Sequence, residues 1–407
     1  MNRKLFSLIA ITLMSVTAMA QQALWGGQNI VSPEINPDHT VTFRYNAIHA
    51  DSVEITGDFL PPTKTNTPYG TFDTPTKVSM SKDEKGIWSF TSSILSPELY
   101  SYSFIVNGIS VTDPNNVYLN RDVASITNIL IIKGEQGSKG DLYSVNNVPH
   151  GTVSRVWYNS PTLKMQRRMT IYTPAGYETS GKKYPVLYLL HGAGGDEEAW
   201  IALGRSAQIM DNLIAMNKAV PMIVVMTNGN PTKQAAPGEA AEGMYRPSMN
   251  IYSQKPVNSM EESFPDVMNY VEKNYRTIND KAHRAICGLS MGGGHSLTIS
   301  KKYPDKFDYV GLFSAATLMT YNKNISEAEK TVLMTQTEKE LAAQFKIAPK
   351  LYWIGIGNSD FLYKDNQEWR KLLDSKGYKY EYVETDGGHI WRNWRIYLSV
   401  FAPKLFK

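Results

Sequence analysis

The chain has 407 residues and a formal net charge of +4, and 42% of its residues are hydrophobic while 20% are charged. This composition is typical of a globular protein with two or three domains. The basic residues are spread along the chain, which disfavours nucleic acid or an anionic membrane surface as a partner. The single cysteine, Cys287, excludes an intrachain disulfide and a multi-cysteine metal site. Because it ends an apolar run, we expect it to be a buried structural residue.

Residues 1–20 are predicted to be a secretory signal peptide. Asn2-Arg3-Lys4 supplies positive charge, the apolar stretch from Leu5 to Val16 is too short to span a bilayer, and Ala18-Met19-Ala20 is a cleavage sequence. No later stretch approaches 18 uninterrupted apolar residues, so no membrane span is predicted. We therefore expect an exported protein, either periplasmic or secreted.

Residues 21–140 are predicted to form an all-β, immunoglobulin-like sandwich. Short runs such as Val41–Tyr45 alternate apolar and polar residues, which is typical of strands with one buried face. Asn107-Gly108 is a strong hairpin signal between two such runs. The glycine-rich, charged segment Gly134–Asp141 has no periodicity and is interpreted as an exposed connection, which continues into a linker over 141–150.

Residues 151–407 show a different pattern, in which strands alternate with helices. Tyr184–Leu190 and Leu351–Ile356 are continuous apolar runs, as expected for strands that are buried on both faces of a parallel sheet. Helical stretches such as Phe264–Asn274 and Asn366–Ser375 lie between the strands. The alternation predicts a doubly wound, mostly parallel α/β sheet.

The pentapeptide Gly288-Leu289-Ser290-Met291-Gly292 has the pattern G-x-S-x-G between a predicted strand and a predicted helix. A serine on such a tight turn has an exposed hydroxyl, and the flanking glycines avoid steric clashes. We therefore predict Ser290 as a nucleophile. The backbone N–H of Met291, at the start of the helix, is predicted to stabilise an oxyanion.

A second glycine-rich turn, His191–Gly195, directly follows the predicted strand that ends at Leu190. Its backbone N–H groups are free to point at the same oxyanion. Ala193 is the predicted second donor, with Gly192 as the alternative.

The remaining members of a catalytic triad are predicted at Asp360 and His389. Asp360 follows a predicted strand, where open α/β sheets place functional groups, and His389 lies in a glycine-rich loop. The order serine, aspartate, histidine is the one expected for an α/β-hydrolase. Asp386 is the alternative acid, but it lies only three residues from His389. The other candidate histidines are expected to be structural; they are His150, His283 and His295.

These residues resemble those of the family-one carbohydrate esterases, an esterase D-like branch of the α/β-hydrolases that comprises feruloyl and acetylxylan esterases. The segments that carry the resemblance are Tyr184–Gly192, Gly195–Trp200, Cys287–Gly293, Ile356–Leu362 and Gly387–Trp391. The resemblance implies an α/β-hydrolase fold in which the family's serine, acid and histidine correspond to Ser290, Asp360 and His389.

The N-terminal region resembles the early-set immunoglobulin-like modules that precede glycan-active enzymes, akin to family-48 carbohydrate-binding modules. Asp83–Phe90, Tyr100–Gly108 and Asp113-Pro114 carry this resemblance. It leaves open whether the region binds glycan or has a spacer or substrate-shaping role.

Together the resemblances imply a serine esterase that acts on feruloylated or acetylated xylan or arabinoxylan, most specifically a feruloyl esterase on arabinoxylan. Trp200 and Trp391 lie near the candidate site in sequence and are the candidates for an apolar acyl pocket. The alternatives are an acetylxylan esterase or another carboxylic ester hydrolase, and, from another class, a glycan-binding protein with an inert hydrolase domain. No metal or organic cofactor is implied.

Overall fold

The computed structural model describes residues 30–67, 70–241, 243–247, 258–317 and 326–407. The predicted signal peptide, residues 1–20, lies outside this part of the chain. No helix within these ranges combines the length and the hydropathy that are needed to cross a bilayer.

The N-terminal region is all-β, as predicted. In the described residues a four-stranded sheet has the order β1-β2-β8-β7, and a six-stranded sheet has the order β11-β12-β9-β3-β6 with β10 against β9. A further hairpin joins β4 to β5. The strands are β1 Glu34–Ile35, β2 Val41–Asn46, β3 Val53–Gly57, β4 Thr63–Thr67, β5 Gly70–Thr74, β6 Lys77–Ser79, β7 Ser81–Lys82, β8 Ile87–Thr91, β9 Glu98–Val106, β10 Ile109–Val111, β11 Leu119–Asp122 and β12 Ser125–Ile132.

The alternating pattern of these strands builds one core between the two sheets. Val41 and Phe43 of β2 and Val53 and Ile55 of β3 are all buried in it. They meet aromatic side chains such as Tyr102, whose ring lies 4.8 Å from that of Phe43 in an edge-to-face arrangement. The burial of every second, apolar side chain along these strands therefore explains how the two sheets pack against each other.

The C-terminal region contains an eight-stranded sheet of order β13-β14-β16-β15-β17-β18-β19-β20. The strands from β16 to β20 in this order are mutually parallel, whereas β13 and β14 are antiparallel. The strands are β13 Thr152–Ser160, β14 Met165–Thr173, β15 Val186–Leu190, β16 Ile223–Thr227, β17 Arg284–Leu289, β18 Tyr309–Phe313, β19 Leu351–Gly357 and β20 Glu381–Thr385. The α-helices of both regions are α1 Lys139–Tyr143, α2 Tyr177–Ser180, α3 Ala199–Ala202, α4 Ser206–Ala215, α5 Met260–Asn274, α6 Met291–Lys302, α7 Glu327–Lys346, α8 Tyr363–Ser375 and α9 Trp391–Phe401.

Burial on both faces of this sheet confirms the predicted doubly wound architecture. Successive residues of β15 alternate between two cores: Leu187 and Leu189 belong to the one that includes α4 and α9, and Tyr188 belongs to the one that includes α5 and α8. Every residue of this strand is buried. A continuous apolar run is thus required, because each face of the strand packs against helices.

One sequence-based expectation holds for only part of its segment. In Gly134–Asp141, interpreted as an exposed connection, residues 134–139 are exposed or half-buried, but the segment runs into the short helix α1, in which Gly140 to Tyr143 are buried. A Cβ atom on Gly140 would lie 1.9 Å from the carbonyl oxygen of Ile132. The glycine is therefore needed for close packing against the N-terminal sheet and does not mark a flexible connection.

The two regions are joined by a buried polar contact. Arg395 on α9 donates to the carbonyl oxygen of Leu99 at 3.1 Å and forms an ion pair with Glu98 at 3.2 Å. The same guanidinium donates to the carbonyl oxygen of Leu203 at 3.1 Å. Both charged side chains are 4% exposed, so the pair is almost completely removed from water.

We expect Arg395→Met to lower the free energy of unfolding by about 3 kcal/mol, because it leaves the buried Glu98 carboxylate without its charge partner. Denaturant titration followed by tryptophan fluorescence measures this change. The matched control is Lys404→Met, which breaks an ion pair with Glu381 whose members are 39% and 50% exposed. Exposed pairs of that kind contribute less than about 1 kcal/mol. Equal effects of the two substitutions would contradict the structural role assigned to Arg395.

Candidate active site

Ser290 lies on a strained turn between β17 and α6. Its φ is 53° and its ψ is −115°, a conformation that costs a residue other than glycine about 1–3 kcal/mol. Surrounding hydrogen bonds hold it: the Ser290 N–H donates to Phe313 O at 2.9 Å, and the Ser290 carbonyl accepts from the N–H of Ala316 at 2.9 Å. The side chain does not cap α6. The hydroxyl is therefore presented at the turn, as the sequence pattern predicts.

The glycines on either side of Ser290 make this turn possible. A Cβ atom on Gly292 would lie 2.5 Å from the carbonyl oxygens of Leu190 and His191, and one on Gly288 would lie 2.5 Å from Gly292. No side chain fits at such distances, so the start of α6 packs directly on the end of β15.

The structure brings His389 and Asp360 together. His389 Nδ1 lies 2.8 Å from Oδ2 and 3.0 Å from Oδ1 of Asp360, whose side chain is fully buried. The N–H of Leu362 donates to Oδ1 at 2.8 Å and fixes the carboxylate. A carboxylate in this position favours the tautomer with the proton on Nδ1, which leaves Nε2 as the basic nitrogen on the opposite side of the ring.

The alternative acid, Asp386, occupies a different position. It is exposed, and its Oδ1 accepts from Asn358 Nδ2 at 3.1 Å. The structure thus pairs His389 with the carboxylate that was predicted first.

Aromatic rings surround the imidazole of His389. The ring of Trp394 lies 4.9 Å away in an edge-to-face arrangement, and the ring of Phe361 lies 4.5 Å away. Trp394 was not among the predicted site residues. The signal was available, because a residue three positions after Trp391 shares its helix face.

The His191–Gly195 turn is organised by a neutral histidine. The N–H of Gly229 donates to His191 Nε2 at 2.7 Å, so Nδ1 carries the proton and donates to the carbonyl oxygen of Gly192, also at 2.7 Å. Complete burial lowers the pKa of His191 to about 4. The carbonyl group of Gly192 and the N–H group of Ala193 belong to the same trans peptide and point in opposite directions. Because the carbonyl oxygen faces His191, the N–H of Ala193 points away from His191.

A single cavity of about 790 Å³ contains the predicted site residues Ser290, His389, Ala193 and Trp391 in its wall. Gly192, the alternative oxyanion donor, also lines it. Met291, the other predicted donor, is the first residue of α6, and its N–H belongs to the first turn, which has no intrahelical acceptor. The arrangement places a serine hydroxyl, an imidazole and backbone N–H groups around one space.

Trp200 has to be corrected as a substrate-binding candidate. Its side chain is 1% exposed, its indole Nε1 donates to Leu190 O at 3.0 Å, and its ring packs against Trp391 at 5.3 Å. It is therefore a core residue that supports the cavity wall from behind. Its proximity in sequence to the His191–Gly195 turn did not distinguish these two roles.

The N-terminal region also contributes to the cavity. The tip of the β11–β12 hairpin, residues 121–125, lines it, and Arg121 forms an ion pair with the buried carboxylate of Asp196. Asp196 follows the His191–Gly195 turn directly. No sequence pattern distinguishes these hairpin residues from other exposed turn residues.

The remaining candidates have structural settings. His150, His283 and His295 each pair with a carboxylate, at 3.0, 2.7 and 2.6 Å. Cys287 is buried, and burial raises the pKa of its thiol, so it is a poor nucleophile. Within the described ranges no group of three or more histidine, cysteine or acidic side chains is placed to hold a metal ion.

Comparison with known proteins identifies a family. The Esterase family model matches residues 160–405. The endo-1,4-beta-xylanase/feruloyl esterase of Xylanibacter ruminicola is 30% identical over 335 residues, which are 80% of this chain and 41% of that protein. The chain thus spans about two fifths of the length of this curated relative.

Two solved structures resemble the chain over different extents. A ferulic acid esterase is 29% identical with a TM-score of 0.51, and the match covers 63% of this chain and 98% of that one. The enterobactin esterase FES from Shigella flexneri is 15% identical with a TM-score of 0.58, and the match covers 95% and 98% of the two chains. The second likeness concerns the fold alone, but it extends over both regions.

Separate replacement of the two candidate aspartates tests which of them is the acid. We expect Asp360→Asn to lower kcat on a 4-nitrophenyl ester by about 10⁴-fold, because the amide no longer stabilises the imidazolium or its tautomer. Asp386→Asn, a matched exposed control, is expected to change kcat by less than about twofold. Steady-state kinetics of both variants measure this, and the opposite ranking would move the acid role to Asp386.

The neutral state of His191 predicts a pH dependence of stability. Its pKa is about 4 in the folded protein and about 6.5 when unfolded, so the unfolded state binds the proton more readily. The stability that neutral His191 contributes is complete above the unfolded-state pKa of about 6.5, and it is lost as the pH falls towards 4. We expect the free energy of unfolding of the wild type to fall more steeply between pH 6.5 and 4.5 than that of His191→Asn, which cannot titrate. If urea titrations gave the same dependence of unfolding free energy on pH for both proteins across this range, His191 would not be held neutral.

Proposed function

This chain belongs to the Esterase family, and from that premise we propose that it is a serine esterase that removes ester-linked acyl groups from plant cell-wall xylan, specifically a feruloyl esterase acting on arabinoxylan. The observation that carries the proposal is the hydrogen-bonded pair of His389 and Asp360 in contact with the cavity that Ser290 lines. The feruloyl esterase activity named for the Xylanibacter ruminicola relative supports the choice of substrate.

The proposed reaction begins when Ser290 Oγ attacks the ester carbonyl carbon while His389 Nε2 takes the hydroxyl proton. The carbonyl oxygen becomes an oxyanion, which accepts hydrogen bonds from the N–H groups of Ala193 and Met291. Asp360 stabilises the imidazolium through Nδ1–H. When the tetrahedral intermediate collapses, the bond to the sugar oxygen breaks and His389 transfers its proton to that oxygen. An acyl-enzyme and a free sugar hydroxyl result.

Hydrolysis of the acyl-enzyme repeats these steps with water. His389 takes a proton from the water as its oxygen attacks the acyl carbon, and the same two N–H groups stabilise the second oxyanion. Collapse breaks the bond to Ser290 Oγ, which regains its proton from His389. The product is the carboxylic acid, which ionises at neutral pH.

The size and lining of the cavity support an aromatic acyl group over acetyl. Cavities of about 300–1,000 Å³ hold ligands of drug size, and this one, at about 790 Å³, exceeds the needs of an acetyl group. Trp391, Trp394 and Leu289 provide flat and apolar surface beside Ser290. An aryl ring would be stabilised by stacking and by removal from water.

Export is also part of the proposal. A polysaccharide substrate of the plant cell wall cannot enter the cytoplasm intact, and residues 1–20 have the charge and hydropathy pattern of a secretory signal peptide. We propose a periplasmic or secreted location on that basis.

Hydrolysis of methyl ferulate and of an acetylated xylo-oligosaccharide by the wild type and by Ser290→Ala tests the function. We expect ferulate release, reduced at least about 10⁴-fold in Ser290→Ala because the nucleophile is lost. Cys287→Ala is the matched control, because it removes a buried thiol near the turn that is a poor nucleophile, and it is expected to leave ferulate release unchanged.

The outcomes are distinct. Acetate release without ferulate release would keep the mechanism and assign the chain to acetylxylan. Turnover that survives in Ser290→Ala would refute the nucleophile. No turnover of either ester by the wild type would favour a glycan-binding protein with an inert hydrolase domain.

A further inference from the structure

The tip of the β11–β12 hairpin belongs, with Arg155, to the part of the Ser290 cavity that the Esterase family match does not include, since that match begins at residue 160. Residues 121–125 line the cavity together with Ser290 and His389. At the tip, Val123 has a φ of 51°, a conformation that β-branched residues rarely adopt. Strain of this kind persists where surrounding structure imposes it, often at functional sites.

The hairpin is fixed to the catalytic region and is not a loosely tethered neighbour. Arg121 pairs with Asp196, which is 3% exposed and accepts from the N–H of Glu198 at 3.0 Å. On the same side of the molecule, Arg392 donates to the carbonyl oxygen of Asp58 at 2.9 Å. The hairpin tip is therefore held in one position relative to the residues around Ser290.

Asp122, at the end of β11, lines the same cavity as the aromatic residues of the site. Asp122 and Trp391 both line the cavity that contains Ser290. The ring of Trp391 lies 5.1 Å from that of Trp394, which in turn packs edge-to-face on His389. Asp122 thus shares the cavity wall with aromatic rings that extend to the candidate base.

The chemistry of Asp122 identifies which half of an ester it would meet. The acyl half leaves as a carboxylate, and a second negative charge beside it would be repelled. The alcohol half is a sugar, whose hydroxyl groups donate hydrogen bonds that a carboxylate accepts strongly. An indole face beside the carboxylate offers apolar surface to the C–H groups of a sugar ring.

We propose that Asp122 and Trp391, one from each region of the chain, form the subsite that binds the sugar carrying the ester. The N-terminal region is then part of the catalytic site and contributes to substrate selection there. This inference rests on the proposed function.

The test compares the full-length protein and its variants on two esters with the same acyl group, one carried by a sugar and one by methanol. The pair is feruloylated arabinoxylo-oligosaccharide and methyl ferulate, or acetylated xylo-oligosaccharide and methyl acetate if acetyl is the acyl group that the wild type releases. We expect Asp122→Ala to lower the ratio of kcat/KM for the sugar ester to kcat/KM for the methyl ester by about tenfold, through KM, because a charged hydrogen bond to the sugar is lost.

Two further variants separate a loss of sugar recognition from a general loss of activity. Asp122→Asn keeps the shape of the side chain and is expected to lower the same ratio by severalfold. Asp51→Ala removes an exposed aspartate of the same region that does not line the cavity, and it is expected to leave both esters unaffected. A purely structural role for Asp122 would lower both kcat/KM values together and leave their ratio unchanged.

The outcomes distinguish this inference from the proposed function. If the wild type hydrolyses both esters and neither Asp122 variant changes the ratio by more than about twofold, the sugar subsite is wrong while the esterase assignment stands. If the wild type hydrolyses neither ester of either pair, both proposals are overturned.

Discussion

The close packing of Gly292 on the end of β15 is the contact on which the site depends. Because a single Cβ atom there would collide with the carbonyl oxygens of Leu190 and His191, the first turn of α6 and the turn after β15 are held in direct backbone contact. That contact places Ser290 at a fixed distance from the backbone N–H groups of both turns. Hydrogen bonds around Ser290 then hold its unfavourable backbone conformation, which a less constrained turn would relax. The chemistry is thus positioned by backbone atoms, before any side chain contributes.

A second constraint is that the polar groups around the turn after β15 are buried and mutually satisfied. His191 remains neutral because its surroundings exclude water, and its two ring nitrogens bind Gly229 and Gly192 in fixed roles. The carboxylate of Asp196, a few residues later, depends on Arg121 from the other region. An N–H group that must meet a developing charge is effective only when its orientation is set in advance. Here this orientation depends on contacts that extend from β16 to the N-terminal sheet.

Much of the fold and of the site was predictable, because the decisive signals are local. The apolar runs of β15 and β19, the glycines around Ser290 and the chain order of the triad follow from steric rules that apply to short segments. The strand β14 was not predicted, since it carries Arg167, which is buried and donates to the carbonyl oxygens of Asn228 and Asn230. Gly140 and Trp200 were misinterpreted for a related reason. Whether a glycine allows flexibility or close packing, and whether an indole faces a ligand or the core, is decided by residues distant in sequence. The residues of the β11–β12 hairpin tip that line the cavity were missed for the same reason.

The apolar core that includes α4 and α9 also contains Leu99 and Ile129 of the N-terminal sheet. The boundary between the two regions is consequently a continuous hydrophobic interior and resembles the inside of one domain more than a joint between two. Such a pair is expected to be inherited as a unit in evolution. Recombination that exchanged the front half for an unrelated β-sandwich would expose this interior and leave Asp196 and Arg395 without their charge partners. Diversification among proteins built this way is therefore expected through substitutions at the shared surface, with the partnership between the two halves kept.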